Sequence, residues 1–248
     1  MTPGANARSF TEGWRVAEKR STSMQLRAVL FDFDFTLADS SQGVIACVNH
    51  ALSSLGLHTA PAEQICATIG LSMPDTLAYL TGRTDSDLVT AFTQLFIAHA
   101  DAVMADLTRL YPEVPGVVRT LHRQAITLGI VSSKLRYRIE GIAAREGLQR
   151  YFPMIVGAED TPHHKPHPAG LQMALRRLGC PPEAAVYVGD HPVDAEAAAR
   201  ASVSFVAVLT GVSRREEFAR YPVVAFLETL SALPSALSPG VAKKYSCQ

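Results

Sequence analysis

The chain has 248 residues, 48% of them hydrophobic, and its 23 Lys and Arg residues balance its 23 Asp and Glu residues. This composition is typical of a globular protein with one large domain or two smaller ones. The balanced charge, without a long basic run, argues against a nucleic-acid partner. No stretch approaches the roughly 20 apolar residues that span a bilayer, so we expect no membrane partner.

The first residues (MTPGANARSFTEGWRVAEKRSTS) lack the apolar segment of a secretory signal. We predict that residues 1–23 form a mobile polar extension, with Met24 as an alternative start. The four cysteines lie far apart and match no CxxC pattern, which favours reduced thiols over disulfides or zinc ligands. We therefore expect a cytoplasmic location. The cysteines are Cys47, Cys66, Cys180 and Cys247.

Short apolar runs that end in polar residues predict five β-strands. They are residues 27–33 (RAVLFDF), 126–132 (ITLGIVS), 154–156 (MIV), 185–189 (AVYVG) and 203–209 (VSFVAVL). Runs without alternation are typical of parallel strands that are covered on both faces. Residues 166–179 and 194–201, which lie between and after these runs, have helical patterns. The alternation predicts an α/β fold, with a Rossmann-like doubly wound parallel sheet.

One segment after the first strand breaks this alternation, because it contains helical signals only. Residues 111–116 (YPEVPG), with two prolines and a glycine, are predicted to form the hinge that leads back to the sheet. We therefore predict a core of residues 24–40 and 116–233 with an inserted all-helical domain of residues 41–115. Residues 234–248 would form a C-terminal tail.

Polar side chains follow the carboxyl ends of the predicted strands, where the functional groups of an open parallel sheet gather. They are Asp32 and Asp34 after the first strand, Ser132, Ser133 and Lys134 after the second, Lys165 after the third, and Asp190 and Asp194 after the fourth. Crowded carboxylates repel one another, and Mg²⁺, a hard cation that prefers oxygen ligands, would compensate for them. The lysine and hydroxyl groups opposite them suit a phosphate.

The order DxDxT, Ser, Lys and GDxxxD, with these spacings, resembles that of the haloacid dehalogenase superfamily. The helical insertion resembles the cap of its phosphoglycolate phosphatase-like branch. The resemblance includes DFDFTLADS, YPEVPGV, LGIVSSK, KPHP and VGDHPVD and extends from residue 24 over nearly the whole remaining chain. It implies a Mg²⁺-dependent phosphatase that hydrolyses a small phosphomonoester through an aspartyl-phosphate intermediate.

The resemblance also implies roles for individual residues. Asp32 would be the nucleophile, and Asp34 would protonate the leaving oxygen and then activate the hydrolytic water. Ser132 would donate a hydrogen bond to the phosphoryl group, and Lys165 would balance the negative charge. The Mg²⁺ ligands would be Asp32, the main-chain carbonyl of Asp34, Asp190 and, directly or through water, Asp194.

Two further groups are candidates for substrate binding. Thr36, Ser133 and Lys134 belong to the core motifs, and Thr36 would brace the loop that leads to the cap. The loop at residues 68–74 (TIGLSMP) lies between two predicted helices and could close over the site. From it we expect Leu71, Ser72 and Met73 to face the substrate. Phe35 departs from the family pattern, in which glycine is common, and His191 occupies a position where a small polar residue is more usual.

Several functions remain open. Dehalogenases of the superfamily lack a carboxylate two residues after the nucleophile, so Asp34 favours phosphate esters or anhydrides. A phosphomutase of the β-phosphoglucomutase type is an alternative, although residues 40–46 (SSQGVIA) lack the histidine that this branch typically carries. A pyrophosphatase and a non-catalytic binding protein on the same fold are further alternatives. The expected partner is a small phosphorylated molecule, bound by a monomer or a homodimer.

Overall fold

A computed structural model of the protein describes residues 25–238. The predicted N-terminal extension, the end of the predicted tail and Cys247 lie outside the described residues. The core is a six-stranded, fully parallel sheet with the strand order β5-β4-β1-β6-β7-β8. Its strands are β1 (Ala28–Phe31), β4 (Thr127–Val131), β5 (Met154–Val156), β6 (Ala185–Gly189), β7 (Ser204–Val208) and β8 (Val223–Leu227).

Both faces of this sheet are covered, as the apolar strands predict. Successive side chains of a strand point to opposite faces, and β1 follows this rule. Val29 and Phe31 pack into one hydrophobic cluster, whereas Ala28 and Leu30 pack into the other. The first cluster is completed by helices α5 (Val114–Arg123) and α6 (Arg136–Arg145), and the second by α7 (Ala169–Leu178) and α8 (Pro192–Arg200). The predicted α/β fold class is confirmed.

The sequence prediction omitted β8, which pairs with β7 at the edge of the sheet. Four of its five residues are only half-buried, and its apolar run, VVAFL, is followed by a short polar turn. The other five strands were predicted, and four of them are almost entirely buried; β5, like β8, is partly exposed. The chain moves outward from β1 to β4 and β5 and then returns to β6, so β1 and β6 flank the topological switch point.

Of the helices between β1 and β4 in the chain, the first four share a hydrophobic cluster of their own. They are α1 (Ser41–Ser54), α2 (Ala62–Cys66), α3 (Met73–Thr81) and α4 (Ser86–Leu107). We call these four helices the cap. By length and composition alone α4 could cross a membrane, but its fully buried residues, among them Phe92 and Phe96, pack in the hydrophobic cluster of the cap.

The two connections between the cap and the core lie side by side. Strand β2 (Ala38–Asp39), before the cap, pairs antiparallel with β3 (Arg109–Leu110), after it. The return hinge predicted at residues 111–116 is wrong in its second half, which belongs to α5. This helix already begins at Val114, which is fully buried in the core. Proline is favoured in the first turn of a helix, so Pro115 starts this helix instead of breaking it.

The C-terminal tail predicted at residues 234–248 also begins too early in the chain, because the folded core extends beyond residue 233. Helix α9 (Leu233–Ala236) follows the last strand, and its first residue, Leu233, is fully buried in the core cluster that includes α5. Residues 234–236 therefore belong to the folded core. The sequence SALPSAL gave little helical signal, since the helix has only four residues and includes Pro234.

Candidate active site

Three buried carboxylates meet at the carboxyl ends of β1 and β6. Asp32 follows β1, and its backbone N–H donates to the carbonyl oxygen of Val188 (2.8 Å), which continues the pairing with β6. Asp190 follows β6 directly, and Asp194 lies in the first turn of α8. Carboxylate oxygens of the three lie within 4.8 Å of one another. The parallel pairing of the two strands thus brings together residues that are far apart in sequence.

Lys165 reaches this cluster from the loop before α7. Its Nζ atom lies 3.0 Å from Oδ1 of Asp32 and 2.6 Å from Oδ1 of Asp194, and its side chain is only 6% exposed. Burial alone would lower the pKa of Lys165, but the Asp194 and Asp32 carboxylates outweigh it and raise this pKa. The lysine is therefore positively charged at neutral pH.

Two of these carboxylates, Asp32 and Asp190, resist ionisation. Burial, opposed by Lys165 and assisted by repulsion from Asp194 and Asp34, raises the pKa of Asp32 from 3.8 to about 6. Burial and repulsion from Asp194 and Asp32 raise the pKa of Asp190 well above its usual range. One ammonium group cannot neutralise three crowded carboxylates, so the cluster requires a further positive charge when it is fully ionised.

The donor set fits a hard divalent cation. Oδ1 of Asp32 is buried and accepts no well-directed hydrogen bond, despite the nearby lysine. Asp190 uses one oxygen to accept a hydrogen bond from Thr36 Oγ1 (3.1 Å). Asp194 differs, because Lys165 and Tyr187 contact its Oδ1 and the backbone N–H of His191 donates to its Oδ2 (3.1 Å). These contacts favour Asp32 and Asp190 as direct ligands and Asp194 as the residue that orients Lys165.

Asp34 lies beside this cluster but has different partners. Its Oδ1 atom accepts hydrogen bonds from Ser40 Oγ (2.6 Å) and from Lys134 Nζ (2.8 Å). Both side chains of the ion pair are at least nine-tenths buried. Lys134, predicted to contact substrate or phosphate, is therefore held against the carboxylate that is expected to act as acid and base.

The turn after Asp34 explains the usual preference for glycine at position 35. Phe35 has a φ of 57°, in the left-handed region that a bulky residue adopts at a cost of about 1–2 kcal/mol. Its backbone N–H donates to the carbonyl oxygen of Ala38 (2.7 Å), and its carbonyl oxygen accepts from the Thr210 hydroxyl. The phenyl ring is buried, so packing and these bonds compensate for the strain.

The hydroxyl groups predicted at the site have different surroundings. Ser132 is buried at the end of β4, and its Oγ accepts from the backbone N–H of Lys134 (3.3 Å). Ser133 Oγ donates to the carbonyl oxygen of Gly70 in the cap loop (3.2 Å), which links the core to the cap. Thr36 is fully buried behind Asp190 and donates to it. This contact favours a positioning role for Thr36 over the predicted contact with substrate.

A cavity of about 470 Å³ lies between the cap and these core residues. Asp34, Ser133 and Lys134 line it from the core. The cap loop contributes all three predicted specificity residues, Leu71, Ser72 and Met73. The hydroxyl of Ser72 has a structural contact as well, since it accepts from the backbone N–H of Asp75 (3.3 Å) and caps α3.

Two further polar residues of the site were missed by the sequence analysis. Tyr187, in the middle of β6, donates to the carbonyl oxygen of Val131 (2.8 Å), and its hydroxyl lies 3.2 Å from Asp194 Oδ1 and 3.4 Å from Lys165 Nζ. Ser40 donates to Asp34. The signal for Tyr187 was a tyrosine in the otherwise aliphatic strand AVYVG. The signal for Ser40 was its position at the end of the motif DFDFTLADS.

His191 is a half-buried helix cap. Its Nδ1 accepts a hydrogen bond from the backbone N–H of Val193 (3.2 Å) at the start of α8. Burial lowers the pKa of this imidazole. The residue therefore orients the helix that presents Asp194.

Comparison with known proteins gives consistent results. Residues 29–208 match the family model described as haloacid dehalogenase-like hydrolase. Pyrophosphatase PpaX of Bacillus cereus (strain AH820) is 31% identical over 215 residues, which cover 87% of this chain and 98% of the relative.

Solved structures show the same fold. A haloacid dehalogenase-like hydrolase from Bacteroides fragilis superposes with a TM-score of 0.82 and 39% identity, covering 84% of this chain and 100% of the other. A protein from Lactobacillus plantarum, described as a phosphoglycolate phosphatase, superposes with a TM-score of 0.74 and 25% identity, covering 87% and 100% of the two chains.

Proposed function

The chain belongs to the haloacid dehalogenase-like hydrolases and is a phosphatase of that family, and we propose that it hydrolyses a small phosphomonoester in a Mg²⁺-dependent reaction through a phosphorylated Asp32. The observation that carries the proposal is the joint placement of Asp32, Lys165 and Asp190 beside Asp34, which lines the cavity between cap and core. Asp32, Lys165 and Asp190 suit a phosphoryl transfer, and Asp34 suits the protonation of a leaving alcohol.

The proposed reaction has two steps. In the first, a carboxylate oxygen of Asp32 attacks phosphorus, the bond from phosphorus to the ester oxygen breaks, and Asp34 gives its proton to the leaving alcohol. In the second, Asp34 takes a proton from water, the water oxygen bonds to phosphorus, and the bond to Asp32 breaks. Asp32 is regenerated and inorganic phosphate is released.

The surrounding groups position these reactants. Lys165, held by Asp194, stabilises the negative charge of Asp32 and of the phosphoryl oxygens, and Ser132 donates to those oxygens. Bound Mg²⁺, with Asp32, Asp190 and the main-chain carbonyl of Asp34 as ligands, would neutralise charge on the phosphoryl group. Positioning and electrostatics supply most of the catalysis in such transfers.

The identity of the leaving group decides between related activities. Phosphoglycolate and pyrophosphate are the first compounds to test, because one structural neighbour and one relative are named for these activities. Phosphomutase activity would instead give an isomeric phosphate ester with little free phosphate. The proposed reaction needs the residues of a single chain only, which acts as a monomer or within a homodimer. It needs neither a nucleic acid nor a membrane. Free thiols at Cys47, Cys66 and Cys180 suit the cytoplasm.

Phosphate release from a panel of phosphate esters and pyrophosphate, with Mg²⁺ or with EDTA, tests this function. Asp32→Asn should abolish metal-dependent release. Asp106→Asn makes the same change at an exposed residue outside the site and should retain it. Acid-quenched enzyme with [³²P]-labelled substrate should carry label only when Asp32 is present. Release that persists in Asp32→Asn would contradict the assignment of the nucleophile.

A further inference from the structure

The cavity between cap and core is the compartment for the leaving group, given the proposed function. Asp34 lines it, whereas Asp32 is buried beneath it and does not contribute to its wall. A phosphoryl group on Asp32 would therefore leave the ester oxygen beside Asp34, with the rest of the substrate in the cavity. The chemistry of the cavity wall then indicates the class of substrate.

Most of this wall is apolar. Helices α1 and α4 contribute branched and aromatic side chains, and the cap loop contributes Ile69, Leu71 and Met73. The residues from the two helices include Val44, Val48, Val89, Phe96, Ile97 and Met104. A carboxylate or a second phosphate in such a compartment would lose more hydration than the few polar groups of the wall can replace.

The charged groups of the wall are already paired. Lys134 binds Asp34, and Glu159 accepts hydrogen bonds from the backbone N–H of Arg136 (2.9 Å to each carboxylate oxygen). Arg138 donates to Asp101 and to the carbonyl oxygen of Ile97 (2.9 Å). Of the described ionisable groups in the wall, this leaves His164, which is exposed. A second anionic group on the substrate would therefore have to break one of these pairs.

The threonine hydroxyls of the wall offer little polarity to a ligand. The hydroxyl of Thr76, at the start of α3, is buried and accepts or donates no hydrogen bond, although the residue is only 2% exposed and lines the cavity. By contrast, the hydroxyls of Thr68, Thr90 and Thr93 donate to backbone carbonyls of their own helical segments. Because the Thr76 oxygen has almost no accessible surface, it offers no polar contact to a substrate in the cavity.

The volume is also large for a very small leaving group. At roughly 30 Å³ per water molecule, the cavity of about 470 Å³ corresponds to about 15 waters. Glycolate would fill only a fraction of it. Compartments of this size and polarity are typical of sites for organic ligands.

We propose that the preferred substrates are phosphomonoesters of an apolar alcohol. The apolar part displaces water from between α1 and α4. Pyrophosphate and phosphoglycolate, which put a second anion into this wall, are poor substrates. The proposal assigns the specificity of the phosphatase to the cap, whereas the chemistry belongs to the core.

Linear alkyl phosphates from ethyl to octyl test the apolar part, because their leaving oxygens are equally reactive. Each buried methylene should raise kcat/KM about fourfold until the cavity is full. Val89→Phe, which places a ring in the cavity, should remove most of this gain. Val103→Phe makes the same change on the same helix outside the cavity and should keep it. Thermal melting confirms that both variants are folded.

Binding of alkylphosphonates, measured by calorimetry on the unaltered protein with Mg²⁺, separates this proposal from the proposed function. Affinity that rises with chain length supports the apolar compartment even if turnover is slow. A flat series, together with Asp32-dependent hydrolysis of phosphoglycolate or pyrophosphate, would overturn the substrate class and leave the phosphatase intact. Chain-length-dependent binding without Asp32-dependent hydrolysis of any compound would overturn the proposed function and leave the compartment intact.

Discussion

Asp190→Asn should make the metal-free protein more stable while removing its response to Mg²⁺. The substitution removes one of three crowded carboxylates and keeps an oxygen that can accept the hydrogen bond from Thr36. Because burial and repulsion from Asp194 and Asp32 raise the pKa of Asp190, the ionised group is unfavourable in the folded state at neutral pH. The neutral amide avoids this cost.

The neighbouring carboxylate provides the magnitude. The pKa of Asp32 is raised from 3.8 to about 6, and each unit corresponds to about 1.4 kcal/mol, so ionised Asp32 costs about 3 kcal/mol. The folded state holds this proton more tightly than the unfolded chain. Stability is therefore highest below about pH 4 for this group and is lost as the pH rises to about 6. Removing the charge of Asp190 should recover about 2 kcal/mol at pH 7.5.

Thermal melting in EDTA at pH 7.5 measures this effect. For a chain of this length about 2 kcal/mol corresponds to an increase in Tm of about 4–8 °C. Mg²⁺ should raise the Tm of the unaltered protein and leave that of Asp190→Asn nearly unchanged. Asp106→Asn, at an exposed position, should melt within about 0.5 kcal/mol of the unaltered protein and keep its response to Mg²⁺. A metal-free Asp190→Asn that is less stable than the unaltered protein would refute the argument from crowding.

Three further predictions concern the same site. The Tm increase produced by Mg²⁺ should grow between pH 5 and pH 7.5, because Asp32, with a pKa of about 6, must lose its proton to bind metal; an increase that is equal at both pH values would argue against Asp32 as a ligand. Tyr187→Phe should lower kcat about tenfold with little change in KM, since its hydroxyl orients Lys165 and does not line the cavity; steady-state kinetics distinguish this from a loss of binding. Arg138→Met should raise KM severalfold at constant pH, because it breaks the bond to Asp101 that joins α6 to the cap; an unchanged KM would show that this contact does not hold the cap over the site.

Much of the candidate site could be predicted from the sequence because Asp32, Ser132 and Asp190 directly follow buried strands. Parallel pairing fixes where those strand ends lie relative to one another, so Asp32 and Asp190 must meet once β1 and β6 pair. The sequence could not indicate that Asp194 orients Lys165 more directly than it ligates a metal. That distinction depends on the hydroxyl of Tyr187 and on the backbone N–H of His191, each of which contacts one carboxylate oxygen of Asp194.

The placement of Lys134 shows a second limit of sequence reasoning. Its position after Ser132 and Ser133 suggested contact with phosphate or substrate. In the structure Lys134 pairs with Asp34, a residue 100 positions away, and no local sequence pattern indicates this contact. The same is true of Thr36, whose hydroxyl points to Asp190. Motif spacing predicts which residues come together but does not predict which atoms are paired.

The cap follows different rules from the core, and this difference bears on how far function can be transferred from relatives. The reacting groups are set by strand ends that every member with the motifs must share. The wall of the cavity is set by α1, α3 and α4, whose apolar spacing serves the packing of the cap as much as any ligand. A relative at 31% identity can therefore retain the chemistry while its leaving-group compartment changes character. For this chain, the apolar wall and its paired charges distinguish the compartment from one built for a second phosphate. A chain-length series therefore tests specificity more directly than the name of any relative.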